Sequence, residues 1–174
     1  MKVQVRKNLY RVIHPKHTYL VTSQSKDGKG NVCSVAWACP VSHDPPLVMI
    51  ALRHRHKTTA NINETGVFAI NVPTYELKEE VAASGETSGW DTDKLETVNL
   101  TFNDGKIGVP VVEECIGWIE CSVRDRYRCG DHIVFVGEVI TAMADEKLWK
   151  DYWDDPPILL HYGSDRYGIG RRKD

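Results

Sequence analysis

No apolar run in these 174 residues approaches the length of about 20 that a membrane-spanning helix requires. The opening MKVQVRKNLYRVIH also lacks the apolar core of a secretion signal. Neither charge sign dominates: 22 Lys and Arg stand against 24 Asp and Glu, for a formal net charge of −2. No global field therefore recruits nucleic acid or an anionic membrane. The five cysteines (Cys33, Cys39, Cys115, Cys121, Cys129) are odd in number, widely spread and free of any C-x-x-C. That spacing argues against a disulfide framework and for reduced thiols in the cytoplasm. The hydrolase and zinc-protease signatures G-x-S-x-G and H-E-x-x-H are missing. No G-x-G-x-x-G follows a strand to cradle a dinucleotide, so an oxidoreductase built on this chain must hold its cofactor by other means. Internal repeats and low-complexity segments are missing as well.

What is present is an ordinary soluble composition, 41% hydrophobic and 26% charged, long enough for a single domain over residues 1–174 with a sizeable core. β-branched and aromatic residues predict a first strand at His17–Ser23, and Lys26–Gly30 reads as a hairpin turn around Asp27-Gly28. A second strand is expected over Asn31–Val41, with Asn31, Cys33, Val35 and Trp37 on one face and Val32, Ser34, Ala36 and Ala38 on the other. Leu47–Leu52 follows as a buried strand, then a short helix from Thr58 stopped by Gly66, then a strand over Val67–Val72. Glu76–Ala83 has helix-forming composition and ends at Ser84-Gly85. Ser88–Glu96 is a polar loop and Asn103–Pro110 is turn-rich. The longest strand pair is Ile116–Tyr127 with His132–Ala142, joined by Arg128–Asp131. Lys147–Trp153 reads as a loop or helical turn, Ile158–Tyr162 as a last strand, and Gly163–Asp174 as a glycine-rich charged tail. Strands dominate without βαβ alternation, so the expected class is mainly β: a closed, mostly antiparallel barrel with peripheral helices.

One stretch organises the functional reading. The strand ending at Leu52 runs into Arg53, His54, Arg55, His56 and Lys57, and Thr58 and Thr59 then open a helix. Cations, hydroxyls and free helix-start N–H groups delivered to one spot suit a phosphate. The plain alternative, a solvated strand end, has comparable weight for a charge run by itself. One short patch lacks the spread that nucleic-acid tracking needs. His54 with His56, and Cys39 with His43, fall short of the close paired ligands of a structural zinc site. By residue type alone, Lys94 reads as a loop charge and His132 as a turn residue.

The ordered set of short segments resembles the flavin reductase-like family, in particular its flavoredoxin branch. The segments are YLVTS (19–23), NVCSVAW (31–37), PVSHDPP (40–46), HKTTANI (56–62), GVFAINVP (66–73), SGWDTDKL (88–95), PVVEE (110–114), GDHIVFVGE (130–138) and LHYGSDRYG (160–168). The resemblance implies the FMN-binding split β-barrel, antiparallel and of Greek-key type, with a non-covalent FMN in a groove of a homodimer. Position by position it implies Asn31, Cys33, Ser34 and Trp37 along the cofactor, and Arg55, His56, Lys57 and Thr58 at its phosphate. It further implies Lys94 from its loop, His132 beside the flavin and an aromatic from Tyr167. Many relatives have Arg where this chain has His56, a departure that leaves the neighbouring Arg55 and Lys57 to supply the charge. The implied activity passes electrons from reduced nicotinamide or a redox protein through FMN to flavin, ferric iron or another carrier. The alternative is a flavin carrier without turnover of its own.

Overall fold

A computed structural model describes residues 1–172 of the chain. After a 3₁₀ turn at Leu9–Ile13 come β1 (Lys16–His17), β2 (Tyr19–Gln24), β3 (Gly30–Val35), β4 (Ala38–Ser42) and β5 (Leu47–Arg53). Helix α1 (Lys57–Thr65) and β6 (Val67–Asn71) follow, then a 3₁₀ turn at Tyr75–Leu77 and the helices α2 (Lys78–Glu86) and α3 (Lys94–Thr97). The remainder is strand: β7 (Phe102–Asp104), β8 (Pro110–Val112), β9 (Gly117–Cys129), β10 (His132–Ala144), β11 (Ile158–Gly163) and β12 (Arg166–Gly170).

Seven strands form one antiparallel sheet in the order β3-β2-β6-β9-β10-β5-β4. Its two edges, β3 and β4, are consecutive in the chain and separated only by Ala36 and Trp37. A chain that steps from one edge of a sheet to the other in two residues forces the sheet to curl shut, which removes both exposed edges. The carbonyl of Trp37 accepts a bond from Ala51 N at 2.9 Å and pins that crossing point to β5.

Alternation along β2 shows how the barrel divides its apolar residues. Val21 points inward to a core with Val35, Ile50, Phe68 and Phe135. Its neighbour Leu20 points outward to a second core with Val32, Val81, Val112 and Leu159. The outer cluster packs α2 and β11 onto the barrel, and it is what sets the helical region against β3. Helix α1 stops where Gly66 takes φ 74° and returns its N–H to the Ile62 carbonyl, a left-handed cap that favours glycine.

Several boundaries differ from the sequence expectation. The strand expected over Asn31–Val41 is two strands, because Ala36 and Trp37 make the edge-to-edge crossing. The helix expected over Glu76–Ala83 starts as a 3₁₀ turn and runs through Ser84 and Gly85 to Glu86. Gly85 does not end it: a Cβ there would overlap Ser34 Oγ, so the glycine permits close approach of α2 to β3. Asp93 caps α3 by accepting from Leu95 N at 3.1 Å, a helix start within the stretch expected to be loop. Phe102–Asp104 and Pro110–Val112 pair as a hairpin where turns alone were expected. Arg166–Gly170 forms a strand against β11 within the expected tail, whose residues 173–174 lie outside the described residues. Lys147–Trp153 is a turn and loop as expected, with Trp149 N bonded to the Asp145 carbonyl at 3.0 Å and a bridge between Trp149 and Trp153.

Candidate functional site

The end of β5 and the start of α1 lie across β3 from α2 and the loop that leads to α3. Between them is a cavity of about 540 Å³. Asn31, Cys33 and Ser34 form its floor, Arg55, His56, Lys57 and Thr58 one wall, and Lys94 the back, so eight of the eleven expected site residues meet here. Trp37 and His132 line an adjoining cavity of about 450 Å³, which shares Ser34 and His56 with the first. Tyr167 is not in either. It sits on β12 in a third, open cavity of about 1070 Å³ that shares Ser34, Gly85 and Glu86 with the first cavity and Ser34 and His161 with the second. Arg53 faces the second cavity, and His54 turns away to bond the Gly130 carbonyl at 3.0 Å.

The polar groups of the first cavity are tightly interlocked. Asn31 Nδ2 donates to Thr58 Oγ1 at 2.7 Å, with both residues buried. The Thr58 hydroxyl also bonds the Cys33 thiol, whose proton is held on by burial against the opposing pull of that bond and of Lys94. With its hydroxyl engaged on both sides, Thr58 offers a ligand its backbone N–H. Helix α1 begins at His56 without a side-chain cap and without an acidic residue in its first turn. Its leading N–H groups have no intrahelical acceptor, and the helix dipole there favours an anion.

Lys94 is the sharpest feature. Its side chain is carried into the cavity wall by the short helix α3, is only 4% exposed and donates from Nζ to the Ser84 carbonyl at 2.7 Å. Among the described residues no carboxylate pairs with it. Burial depresses its pKa from the usual 10.5, with only the Cys33 thiol acting the other way. His56, at the cavity rim, is likewise held below the ordinary imidazole value. Desolvation is the main cause, followed by Arg53, Lys94, Arg55 and His132. Arg55, Lys57 and Lys94 outnumber Glu86, the one carboxylate among the described residues that line this cavity.

The loop 87–93 closes the cavity and was under-read in the sequence, where Lys94 alone was singled out. Trp90 Nε1 donates to the Arg55 carbonyl at 2.9 Å, and Lys57 Nζ lies 4.5 Å from the Trp90 ring centroid. A Cβ at Gly89 would overlap Asn31 Oδ1, so glycine is what lets this loop seat on β3. The signal was the Gly-Trp pair within Ser88-Gly89-Trp90. A glycine before an aromatic next to a basic strand end marks close backbone approach. Tyr10 and His161, which line the second cavity, had no local signal, since they come from the N-terminal turn and β11.

In the second cavity the His132 ring stacks on Trp37, with centroids 4.7 Å apart and planes at 26°. Tyr10 meets Trp37 edge-on at 5.3 Å. Together the cavities form one groove, cationic and rich in N–H donors at one end, aromatic at the other. Among the described residues no group of three or more His, Cys, Asp or Glu converges as a metal cage.

A closed antiparallel barrel whose edge-to-edge crossing floors a groove of this polarity is the split β-barrel of FMN-binding proteins. The chain belongs to the flavin reductase like domain family, matched over residues 10–170. An uncharacterized protein of Archaeoglobus fulgidus is 37% identical over 134 residues, 76% of this chain and 75% of that protein. An NADH-dependent flavin reductase of Rhodococcus sp is 31% identical over 126 residues, 72% of this chain and 63% of that protein. The flavoredoxin from Methanosarcina acetivorans superposes with a TM-score of 0.89 at 25% identity, covering 100% of this chain and 94% of that one. Membership places the chain among flavin-dependent oxidoreductases.

Proposed function

We propose that the groove holds one non-covalent FMN per chain, with its phosphate in the cavity lined by Lys94 and the start of α1. The isoalloxazine then extends past Ser34 toward Trp37 and His132. The observation that carries this reading is the buried, unpaired ammonium of Lys94. A cation withdrawn from water without a counter-ion is costly, and a resident anion removes the cost. The uncapped α1 N-terminus, Arg55 and Lys57 point at the same spot. The aromatic end suits a planar ring, and a bound flavin supplies the hydride and electron chemistry that the chain's own side chains lack. Electrons would come from reduced nicotinamide or a redox protein and leave to flavin, ferric iron or another carrier. Tyr167 belongs to the approach to the groove rather than to its floor. Residues 1–174 act as one domain, in a homodimer and in the cytoplasm. The five cysteines, none in a disulfide, suit a reducing compartment.

The test is a fluorescence titration of the cofactor-free protein with FMN and with riboflavin, which differ only in the phosphate. One FMN per chain is expected. Its affinity should exceed that of riboflavin by about one to two decades, corresponding to about 1.5–3 kcal/mol for a hydrogen bond to a charged group. Equal affinities remove the phosphate assignment. Steady-state NAD(P)H oxidation with added flavin or a ferric chelate then identifies donor and acceptor.

A further inference from the structure

The hairpin between β9 and β10 places a carboxylate and an imidazole side by side at the aromatic end of the groove. Asp131 Oδ1 lies 2.6 Å from His132 Nδ1. Because an ionised carboxylate only accepts, Nδ1 carries the hydrogen, and Nε2 becomes the nitrogen that exchanges protons. Nε2 has no hydrogen-bond partner among the described residues, and His132 lines the 450 Å³ cavity. The ring plane is fixed by its stack on Trp37. The turn beneath is braced from α1's approach strand: His54 N donates to the Asp131 carbonyl at 3.3 Å and His54 Nε2 meets the Gly130 carbonyl at 3.0 Å. Asp131 is held ionised chiefly by its bond to His132, with Arg53 adding its charge from β5. A buttressed turn, a committed Nδ1 and a stacked ring are more than a surface histidine needs. They are the requirements for presenting one nitrogen to a reacting molecule.

We propose that Asp131 positions His132 as a proton-exchanging group over the ring end of the groove, and that the acceptor is an organic molecule taking a hydride together with a proton. Quinones, conjugated carbonyls and free isoalloxazines belong to that class; a ferric chelate does not. The proposal rests on the flavin reading above. The acceptor would gain H⁻ from the reduced flavin and H⁺ from Nε2–H of the His132 imidazolium, leaving AH₂ and the neutral Nδ1–H ring, and solvent would then return a proton to Nε2. A ferric centre takes single electrons and no proton, so the dyad gives it nothing. The groups facing His132 across the cavity are Arg53 and His56 on one side and Arg11, His14 and His161 on the other. None is a carboxylate, so Asp131 is the acceptor that sets the ring's tautomer.

The experiment compares wild type, Asp131→Ala and His132→Gln, each loaded with FMN, reduced anaerobically and mixed in stopped flow with a benzoquinone or with ferricyanide. The readout is the ratio of the two reoxidation rates. It should fall by about tenfold or more in His132→Gln, the low end of what general acid catalysis contributes, and in the same direction in Asp131→Ala. Nitrogen NMR of the cofactor-free protein, taken at a pH where the ring is neutral, should show His132 as the Nδ1–H tautomer in wild type and a shift away from it in Asp131→Ala. Unchanged ratios with FMN visibly bound overturn the dyad while leaving the flavin reading intact. A wild-type tautomer with hydrogen on Nε2 overturns Asp131 as the positioning residue. A protein that takes up no FMN sinks both readings.

Discussion

At Lys94 a full positive charge sits where water reaches only 4% of the residue. Burial lowers its pKa below the usual 10.5, so the folded chain holds this proton less tightly than the unfolded chain does. Below the lowered folded value the ammonium is present, and so is its burial cost. As pH rises through the lowered folded value toward 10.5, the folded chain sheds the proton first and that contribution to stability improves. Two consequences follow for Lys94→Met. The cofactor-free variant should melt at the same temperature as wild type or higher, because an unpaired buried charge has been replaced by an apolar side chain of similar length. The FMN-bound variant should melt lower than FMN-bound wild type, with FMN affinity weaker by about one to two decades. Calorimetry with and without FMN reads both. A cofactor-free melting temperature that falls by several degrees would make Lys94 a structural residue. Thr58 shows the same economy from the opposite side. Its hydroxyl is committed to Asn31 and Cys33, so Thr58→Ala would unpair a buried Asn31 amide as well as disturb the cofactor.

Among the elements, the loop 87–93 and α3 decide whether the groove is closed, and Gly89 decides whether the loop can seat. In Gly89→Ala the new methyl would overlap Asn31 Oδ1 and lie 3.1 Å from Lys57 Cβ. The loop must lift, carrying Trp90 off the Arg55 carbonyl and Lys57. FMN affinity is expected to fall about tenfold, a loss of about 1.4 kcal/mol. The barrel, whose core lies elsewhere, should unfold within about 0.5 kcal/mol of wild type. Titration and chemical denaturation separate the two effects. An unchanged FMN affinity would remove this loop from the phosphate end. The basic segment 53–57 is likewise two functions rather than one. Arg55, His56 and Lys57 face the first cavity, whereas Arg53 and His54 serve the turn that carries His132.

At the scale of the whole molecule, apolar and aromatic side chains stay exposed on the outer strand face and the segment beyond it. Ile140 and Met143 on β10 and Trp149 and Tyr152 after it are each more than 40% exposed. The proposed homodimer would cover such a surface, which is larger in exposed apolar side chains than a monomer needs. Sedimentation at micromolar concentration is expected to give a dimer with FMN bound. A monomer that retains FMN tightly would separate assembly from cofactor binding.

The sequence by itself determined the main barrel strands, the mainly β class and the Gly66 stop, because period-two patterning, β-branched runs and a positive-φ glycine are local properties. It also marked the cationic end of the groove, since cations, hydroxyls and a helix start follow one another within seven residues. Tertiary structure alone decided the rest. Whether Asn31–Val41 was one strand or two depended on where the sheet had to close, and the answer was Ala36 and Trp37. The glycine-rich stretch at 166–170 became a strand only because β11 offered it a paired edge. Lys94 was indistinguishable from a solvated lysine until α3 turned it inward. Asp131 and His132 were neighbours in any conformation, but only the His54 brace and the Trp37 face made their contact a directed one. Burial and orientation arise from contacts between residues distant in the chain, and those contacts are made only when the barrel shuts.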